Sequence, residues 1–402
     1  MTDRLSDEDA PGIAEQNRGG RAAAEDDVPR ASVDLDLRGR ALVRLVDADP
    51  AGLRAVRRQL GPLPQSAVDD ARQPDVTIRF VDRLEVDGPV RRLGADAMTI
   101  GDAYVVTRGR RKADVRVRIP IETVGLEPAV IEAERGGTSI PLLLPVLAAS
   151  LLTRGIAPLH ASAFRYDGRG VLVTGWAKGG KSETLLAFLL HGAAYVGDEW
   201  VFVDPDGPQM FGILEPIRLW DWQLAMVPAL ARRVGASSRA RLALATGAAR
   251  ALRVTGRLPV VGASPAGEAA RRAGSLVDRQ RSIQIPIADL VDAVHVVDAA
   301  VPLDRVVLVV AGAADAVRTG LPASEAADRI AATTTHELGD LVAAALAYRH
   351  AAPGRPHAGL DDLRARLTVA TAHVLATVPI LEAEHRFPPD IPGLFDLIAP
   401  HL

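Results

Sequence analysis

Val171-Leu-Val-Thr-Gly-Trp-Ala-Lys-Gly-Gly-Lys-Ser-Glu-Thr184 reads as a short apolar strand, a glycine-rich turn and the start of an apolar-faced helix. Gly175, Gly180, Lys181 and Ser182 fit G-x-x-x-x-G-K-[ST] without a mismatch. That spacing suits a triphosphate, because successive backbone N–H groups converge on phosphate oxygens and a helix N-terminus adds its dipole. The predicted nucleotide-binding residues are Gly175, Trp176, Ala177, Lys178, Gly179, Gly180, Lys181, Ser182 and Glu183. Lys181 would reach the β- and γ-phosphates, and the Ser182 hydroxyl would ligate Mg2+.

Composition sharpens the reading. The chain has 47 Lys plus Arg, yet only three are lysines: Lys112, Lys178 and Lys181. Two of the three fall inside this one loop. A phosphate cradle needs a compact point charge on a flexible stem, which the wide guanidinium fork does not imitate. Lys178 exceeds what the motif requires, so contact with a phosphate or the acceptor is expected of it.

At 402 residues, with 48% hydrophobic content, the chain has ample material for more than one core. Aromatics are only 4%, so the cores are expected to be built from Val, Leu, Ile and Ala. A formal net charge of −3 predicts no bulk attraction to nucleic acid or to an anionic membrane. The absence of cysteine excludes disulfides, thiolate chemistry and zinc–thiolate sites, and fits a cytoplasmic protein. No signal peptide is visible. The apolar run Ile140 to Leu152 is too short to span a bilayer and contains Pro141 and Pro145. It reads as a buried helix with Ser139 as N-cap and Gly155 just beyond its end.

Residues 1–30 carry eight acids and four arginines without periodicity and read as a flexible acidic tail. Residues 31–135 read as a small, mostly antiparallel α+β domain. Its strands are predicted at Val33–Leu37, Ala41–Val46, Val76–Val81, Ala103–Thr107 and Val115–Ile121, with a helix from Asp49 or Pro50 to Leu60. Residues 136–402 read as an α/β domain built on the phosphate-loop strand and helix. Later elements are predicted as a helix at Ser238–Leu252, strands at Ser282–Ile287, Ala293–Val297 and Arg305–Ala311, and helices at Ala323–His350 and Leu360–Ala376. A Pro-rich C-terminus follows. Inserted in this domain, residues 229–281 hold eleven arginines against Glu268 and Asp278. That block suits either a basic docking surface for an acidic partner or an ordinary solvated face.

The loop's neighbours narrow the chemistry. Asp198-Glu199 follows the strand after the loop helix, where an acid can ligate Mg2+ or accept a proton from an attacking hydroxyl. His160, before the loop, suits either a satisfied core position or the site. Glu215 and Arg218 suit either the metal side of the site or a surface ion pair. Trp176, Trp200, Trp220 and Trp222 cluster around the loop and acids, as a substrate wall or as plain core.

In order, His160, the loop ending Gly180-Lys181-Ser182-Glu183-Thr184, Gly192 and Gly197-Asp198-Glu199 resemble the C-terminal domain of HPr kinase/phosphorylase, over about residues 155–205. The resemblance implies a P-loop kinase core related in fold to phosphoenolpyruvate carboxykinase, using ATP and Mg2+ to phosphorylate a serine hydroxyl on a protein. It implies that His160 helps order the phosphate and the attacking hydroxyl, that Lys181 stabilises the transferring phosphoryl group, and that Ser182 and Asp198 face the metal. The family's acid pair is usually Asp-Asp, the second acting as base. Here Glu199 occupies that second position, so the base is Glu199 or, by rearrangement, Asp198. The family's downstream glycine-rich segment with a metal-binding Glu is not found, and Glu215 is only a loose counterpart. The likeness is thus to the divergent kinases of this superfamily.

The leading expectation is a kinase acting on a protein or peptide hydroxyl, with no nucleic-acid or membrane partner. A small-molecule hydroxyl kinase and a non-catalytic ATP sensor are its alternatives. Related enzymes assemble as homo-oligomers, and nothing in these residues decides that point.

Overall fold

The architecture comes from a computed structural model that describes residues 30–109, 114–257, 281–290, 296–297, 299–355 and 358–402. Nearly all of the predicted acidic tail, the middle of the arginine-rich block and most of the strand predicted at Ala293–Val297 lie outside the described residues. Within them the chain is a mixed α/β protein with mixed sheets.

The first half contributes β1 (Ala31–Leu37), β2 (Ala41–Ala48), β3 (Gln65–Ala67), β4 (Val76–Val81), β5 (Val90–Arg92), β6 (Ala97–Ile100), β7 (Ala103–Gly109), β8 (Asp114–Ile119) and β9 (Ala129–Glu134). They form one sheet in the order β3-β1-β2-β4-β9-β8-β7-β6-β5. The pairs β2–β4 and β4–β9 are parallel and the others antiparallel. Alternation explains β8: Val117 and Ile119 are buried, while Arg116 and Arg118 pair with Glu134 and Glu132 on β9. The helix Pro50–Leu60 starts where sequence places it. Asp49 accepts the Gly52 N–H at 2.6 Å, and Ala55, Val56 and Leu60 turn inward.

Gly61 ends that helix at φ 75, and a Cβ there would lie 2.1 Å from the carbonyl oxygen of Leu214. Gly39 has a similar φ of 72 but open space around it. Gly61→Ala is therefore expected to cost roughly 1–3 kcal/mol or more and to lower Tm clearly further than Gly39→Ala. Equal shifts in thermal melts of the two variants would remove the steric argument.

The apolar run does form a buried helix, but over Leu143–Leu152 and without a Ser139 cap. The Ile140 backbone is tied by both its N–H and its carbonyl to the Gln59 side chain, at 2.7 and 2.9 Å. Helical winding therefore begins only after Leu142, which sits at φ 58. Pro145 is tolerated because the first-turn N–H groups have no intrahelical acceptor. Leu147 and Leu151 of this helix share one core with Leu35, Val43, Ile78 and Ile131 of the first sheet, and with Phe202, Phe211 and Leu341 of the second half.

The second half supplies β10 (Ala157–Tyr166), β11 (Arg169–Thr174), β12 (Ala194–Gly197), β13 (Trp200–Val203), β14 (Gln209–Gly212), β15 (Ile217–Trp220), β16 (Ser282–Ile285), β17 (Val301–Pro302), β18 (Arg305–Gly312), β19 (Ala316–Thr319) and β20 (Ile380–Arg386). The main sheet runs β17-β14-β13-β10-β11-β18-β20-β19, with β12 also paired to β10. β11, β18 and β20 are parallel neighbours, so their C-terminal ends lie side by side. In open α/β sheets that edge is where ligands bind. β18 is buried on both faces. Val307 and Val309 pack toward the helices Lys181–Leu190 and Ile391–Ile398, while Val306 and Leu308 pack toward the helices Ala323–Glu337 and Leu363–Leu375.

Two differences from the sequence reading bear on the site. The helix predicted over Ala323–His350 breaks at Leu338 into Ala323–Glu337 and Gly339–Ala351, where glycine lowers the helical preference. The Pro-rich C-terminus contains β20 and the helix Ile391–Ile398. Among the described residues no helix is long and apolar enough to cross a membrane.

Candidate active site

β11 leads into the loop Gly175–Gly180, and the helix starts at Lys181. Lys178 and Gly180 take the left-handed conformation, at φ 62 and 107. Such left-handed residues in a tight loop turn successive amides toward one concave side. Lys181 is buried, and its Nζ donates to the carbonyl oxygens of Gly175 at 3.0 Å and Trp176 at 3.2 Å. Burial pulls its amine below the ordinary lysine range, while the charges of Glu199 and Asp198 oppose that shift. Lys178 is exposed. Glu183 accepts a hydrogen bond from the Gln223 Nε2 at 2.7 Å, which ties the loop helix to the helix Asp221–Met226.

The turn between β12 and β13 separates the two acids. The Trp200 N–H donates to the Asp198 carbonyl at 2.7 Å, and Glu199 sits at φ 62, strained for a side chain of its size. Asp198 points inward and is 3% exposed, whereas the Glu199 side chain is 51% exposed. The Ser182 Oγ donates to the Asp198 carboxylate, at 3.0 Å to one oxygen and 3.2 Å to the other, and the Ser162 Oγ donates to it as well. Burial, with the Glu199 charge adding, pushes the Asp198 carboxyl up to about 7 against those serine bonds. Glu199 goes the other way. Its Oε2 lies 3.0 Å from His160 Nε2, and that contact holds its carboxyl below the usual range although partial desolvation opposes it.

His160 is buried on β10 and faces both sides of this arrangement. Its backbone N–H donates to the Thr334 Oγ1 at 3.2 Å, and its carbonyl accepts from the Thr174 Oγ1 at 3.1 Å. Its Nδ1 is 3.3 Å from Glu337 Oε1, within ion-pair distance but off the hydrogen-bond direction. The core reading and the site reading of this histidine therefore coincide in one residue: it is buried and it touches Glu199.

Glu215 is half-buried and its Oε1 has no hydrogen-bond partner. Burial first, then the charges of Glu199 and Asp198, push its carboxyl up to about 8. It is thus a third acid within electrostatic reach of the pair. The tryptophans do not form one wall. Trp176 is 57% exposed and stacks on His336 at 4.9 Å, Trp200 belongs to the core that includes the first sheet, and Trp222 packs on the core around the loop helix.

No group of three or more histidine or acidic side chains that could hold a metal occurs among the described residues. The Ser182 hydroxyl and the Asp198 carboxylate are nonetheless two converging hard oxygen donors. Mg2+ typically takes one or two carboxylates from a protein and fills its shell with substrate phosphate and water, so these residues fit it.

Several site residues lie beyond the motif. Ser162 follows His160 at strand period 2, a signal the sequence carries. The helix end Thr333-Thr-Thr-His-Glu337 touches the site repeatedly: Thr333 Oγ1 donates to the Gly175 carbonyl at 3.1 Å, Thr334 bonds His160, His336 stacks on Trp176 and Glu337 faces His160. Three successive threonines before His-Glu are unusual filling for a helix. His385 on β20, beneath the loop, carries no local signal. No protein-family model matches the chain, and no curated protein matches it.

Proposed function

We propose that the protein is an ATP- and Mg2+-dependent kinase that transfers the γ-phosphoryl group to a hydroxyl, of the serine class, on a protein or peptide. A P-loop kinase core of the HPr kinase and phosphoenolpyruvate carboxykinase type belongs to the same reading. One observation carries it: the two adjacent acids are driven apart, Asp198 onto the loop serine and Glu199 onto His160. Opposed shifts in neighbouring acids mark a division of roles.

In this mechanism the loop amides and Lys181 hold the β- and γ-phosphates. Ser182 and Asp198 hold Mg2+, which when bound neutralises phosphate charge. Glu199 is the base: it is the more exposed acid, it is held ionised, and His160 orients it. The acceptor oxygen attacks the γ-phosphorus, the bond to the ADP leaving oxygen breaks, and the hydroxyl proton passes to the Glu199 carboxylate.

Incubation of the purified protein with Mg2+, γ-labelled ATP and either lysate or serine-containing peptides is expected to label an acceptor on serine. The kinase reading fails if the wild type labels nothing while binding ATP tightly, which is the behaviour of a sensor. Release of ADP on addition of metabolites alone would move the acceptor to the small-molecule class.

A further inference from the structure

His385 is 2% exposed and lies directly beneath the phosphate loop. Its Nε2 is 2.8 Å from the Gly179 carbonyl oxygen and its Nδ1 is 2.9 Å from the Arg386 carbonyl oxygen. A carbonyl accepts but never donates. A neutral imidazole has one N–H, so it would satisfy one oxygen and set a lone pair against the other; only the doubly protonated ring donates to both. The contact is close enough to dictate the loop sequence. A Cβ on Gly180 would lie 2.5 Å from His385 Nε2, and Gly180 sits at φ 107.

The charged groups around this ring leave it without a counter-ion. The following Arg386 is turned to Asp315, at 3.6 Å. On the preceding side Glu384 is engaged by the N–H groups of Ala313 and Ala314, at 2.9 and 3.3 Å. From the loop, Lys178 is exposed and Lys181 is turned onto the Gly175 and Trp176 carbonyls. Among the described residues no carboxylate pairs with His385. A buried cation is expensive unless an anion compensates it. The concave amide side of the loop is where that anion would come.

We infer that His385 is a nucleotide-positioning residue: a buried imidazolium behind the phosphate loop that fixes Gly179 and supplies a third positive charge, with Lys181 and the helix N-terminus, for a bound di- or triphosphate. The inference rests on the triphosphate reading of the loop. It names a residue from a strand 206 positions away from Gly179 in the chain.

Binding of MgATP and of inorganic pyrophosphate is to be measured by calorimetry for wild type, His385→Gln and Lys181→Ala, with thermal melts to establish folding. His385→Gln is expected to weaken both ligands alike, by about tenfold or more, because it acts on the loop rather than on the base or sugar. The KM for ATP should rise in step with the loss of affinity. In 15N spectra of histidine-labelled wild type, which do not depend on the variant folding, both ring nitrogens of His385 should carry protons. Unchanged affinities in folded His385→Gln, or one bare ring nitrogen in the wild type, overturn the inference. If Lys181→Ala also binds both ligands like wild type, the loop is no triphosphate site at all. A loss in Lys181→Ala with none in His385→Gln removes His385 alone.

Discussion

Lys181→Ala is expected to reduce phosphate transfer by roughly 10²–10³-fold or more while leaving the fold nearly unchanged. The separation of the two effects follows from the contacts. Nζ donates to the Gly175 and Trp176 carbonyls, but each keeps another donor, Thr333 Oγ1 on Gly175 and the Gly179 N–H on Trp176. Removing the amine therefore strands no buried acceptor and relieves a desolvated charge. The catalytic loss has no such cushion. Among the described residues Lys181 is the one lysine or arginine buried at the loop, and alanine removes it. Lys181→Arg should fail almost as badly, because the guanidinium fork does not fit a cradle sized for a point charge. Transfer rates near wild type in Lys181→Arg would show that only charge matters there, and would sink this account of why lysine persists in an arginine-dominated chain.

Asp198→Asn is expected to lower transfer by a similar order and, unusually for a site residue, to stabilise the Mg2+-free protein at alkaline pH. The folded-state carboxyl lies near 7, above its ordinary value of 3.8, so at intermediate pH the folded chain holds a proton that the unfolded chain has released. Stability of the wild type therefore falls as pH rises from about 4, and the whole penalty is present above about 7. At 1.36 kcal/mol for each unit the upper bound is about 4 kcal/mol, and the neighbouring Glu199 charge makes the realised value smaller. Asparagine keeps an oxygen for the Ser182 and Ser162 hydroxyls but has no charge to bury. The Tm advantage of the variant should be largest at pH 8 and vanish toward pH 4. An advantage independent of pH would mean that packing, not ionisation, separates the two proteins.

Much of this site was legible because it is local. The strand Arg169–Thr174 and the helix that opens at Lys181 form where the sequence places them, since apolar runs and glycine stops fix short elements. The left-handed Gly192 that follows the loop helix is such a stop. The helix Pro50–Leu60 was equally plain, its start read at Asp49 or Pro50 and its end at Leu60, and the Asp49 cap settles the start. What escaped depends on distant partners. β9 was missed because two of its six positions are acids, and only the arginines opposite on β8 make Glu132 and Glu134 acceptable in a strand. β20 was missed because its flanking prolines read as loop, yet it is pulled into the sheet by β18. Helix ends misplaced by sequence, such as that after Ser139, were set by tertiary hydrogen bonds like those of Gln59. The pairing of His160 with Glu199 rather than Asp198 rests on a single left-handed residue, which no spacing rule reveals.

The position of β20 also has a temporal meaning. The strand sits inside the main sheet, and its His385 meets Gly179 across 206 residues of chain. At 5–20 residues per second a ribosome needs about 10–40 s to travel from one to the other. Throughout that interval the nascent Gly175–Gly180 loop lacks the strand that props it. Synthesis itself thus makes the support of this loop one of the late events of folding.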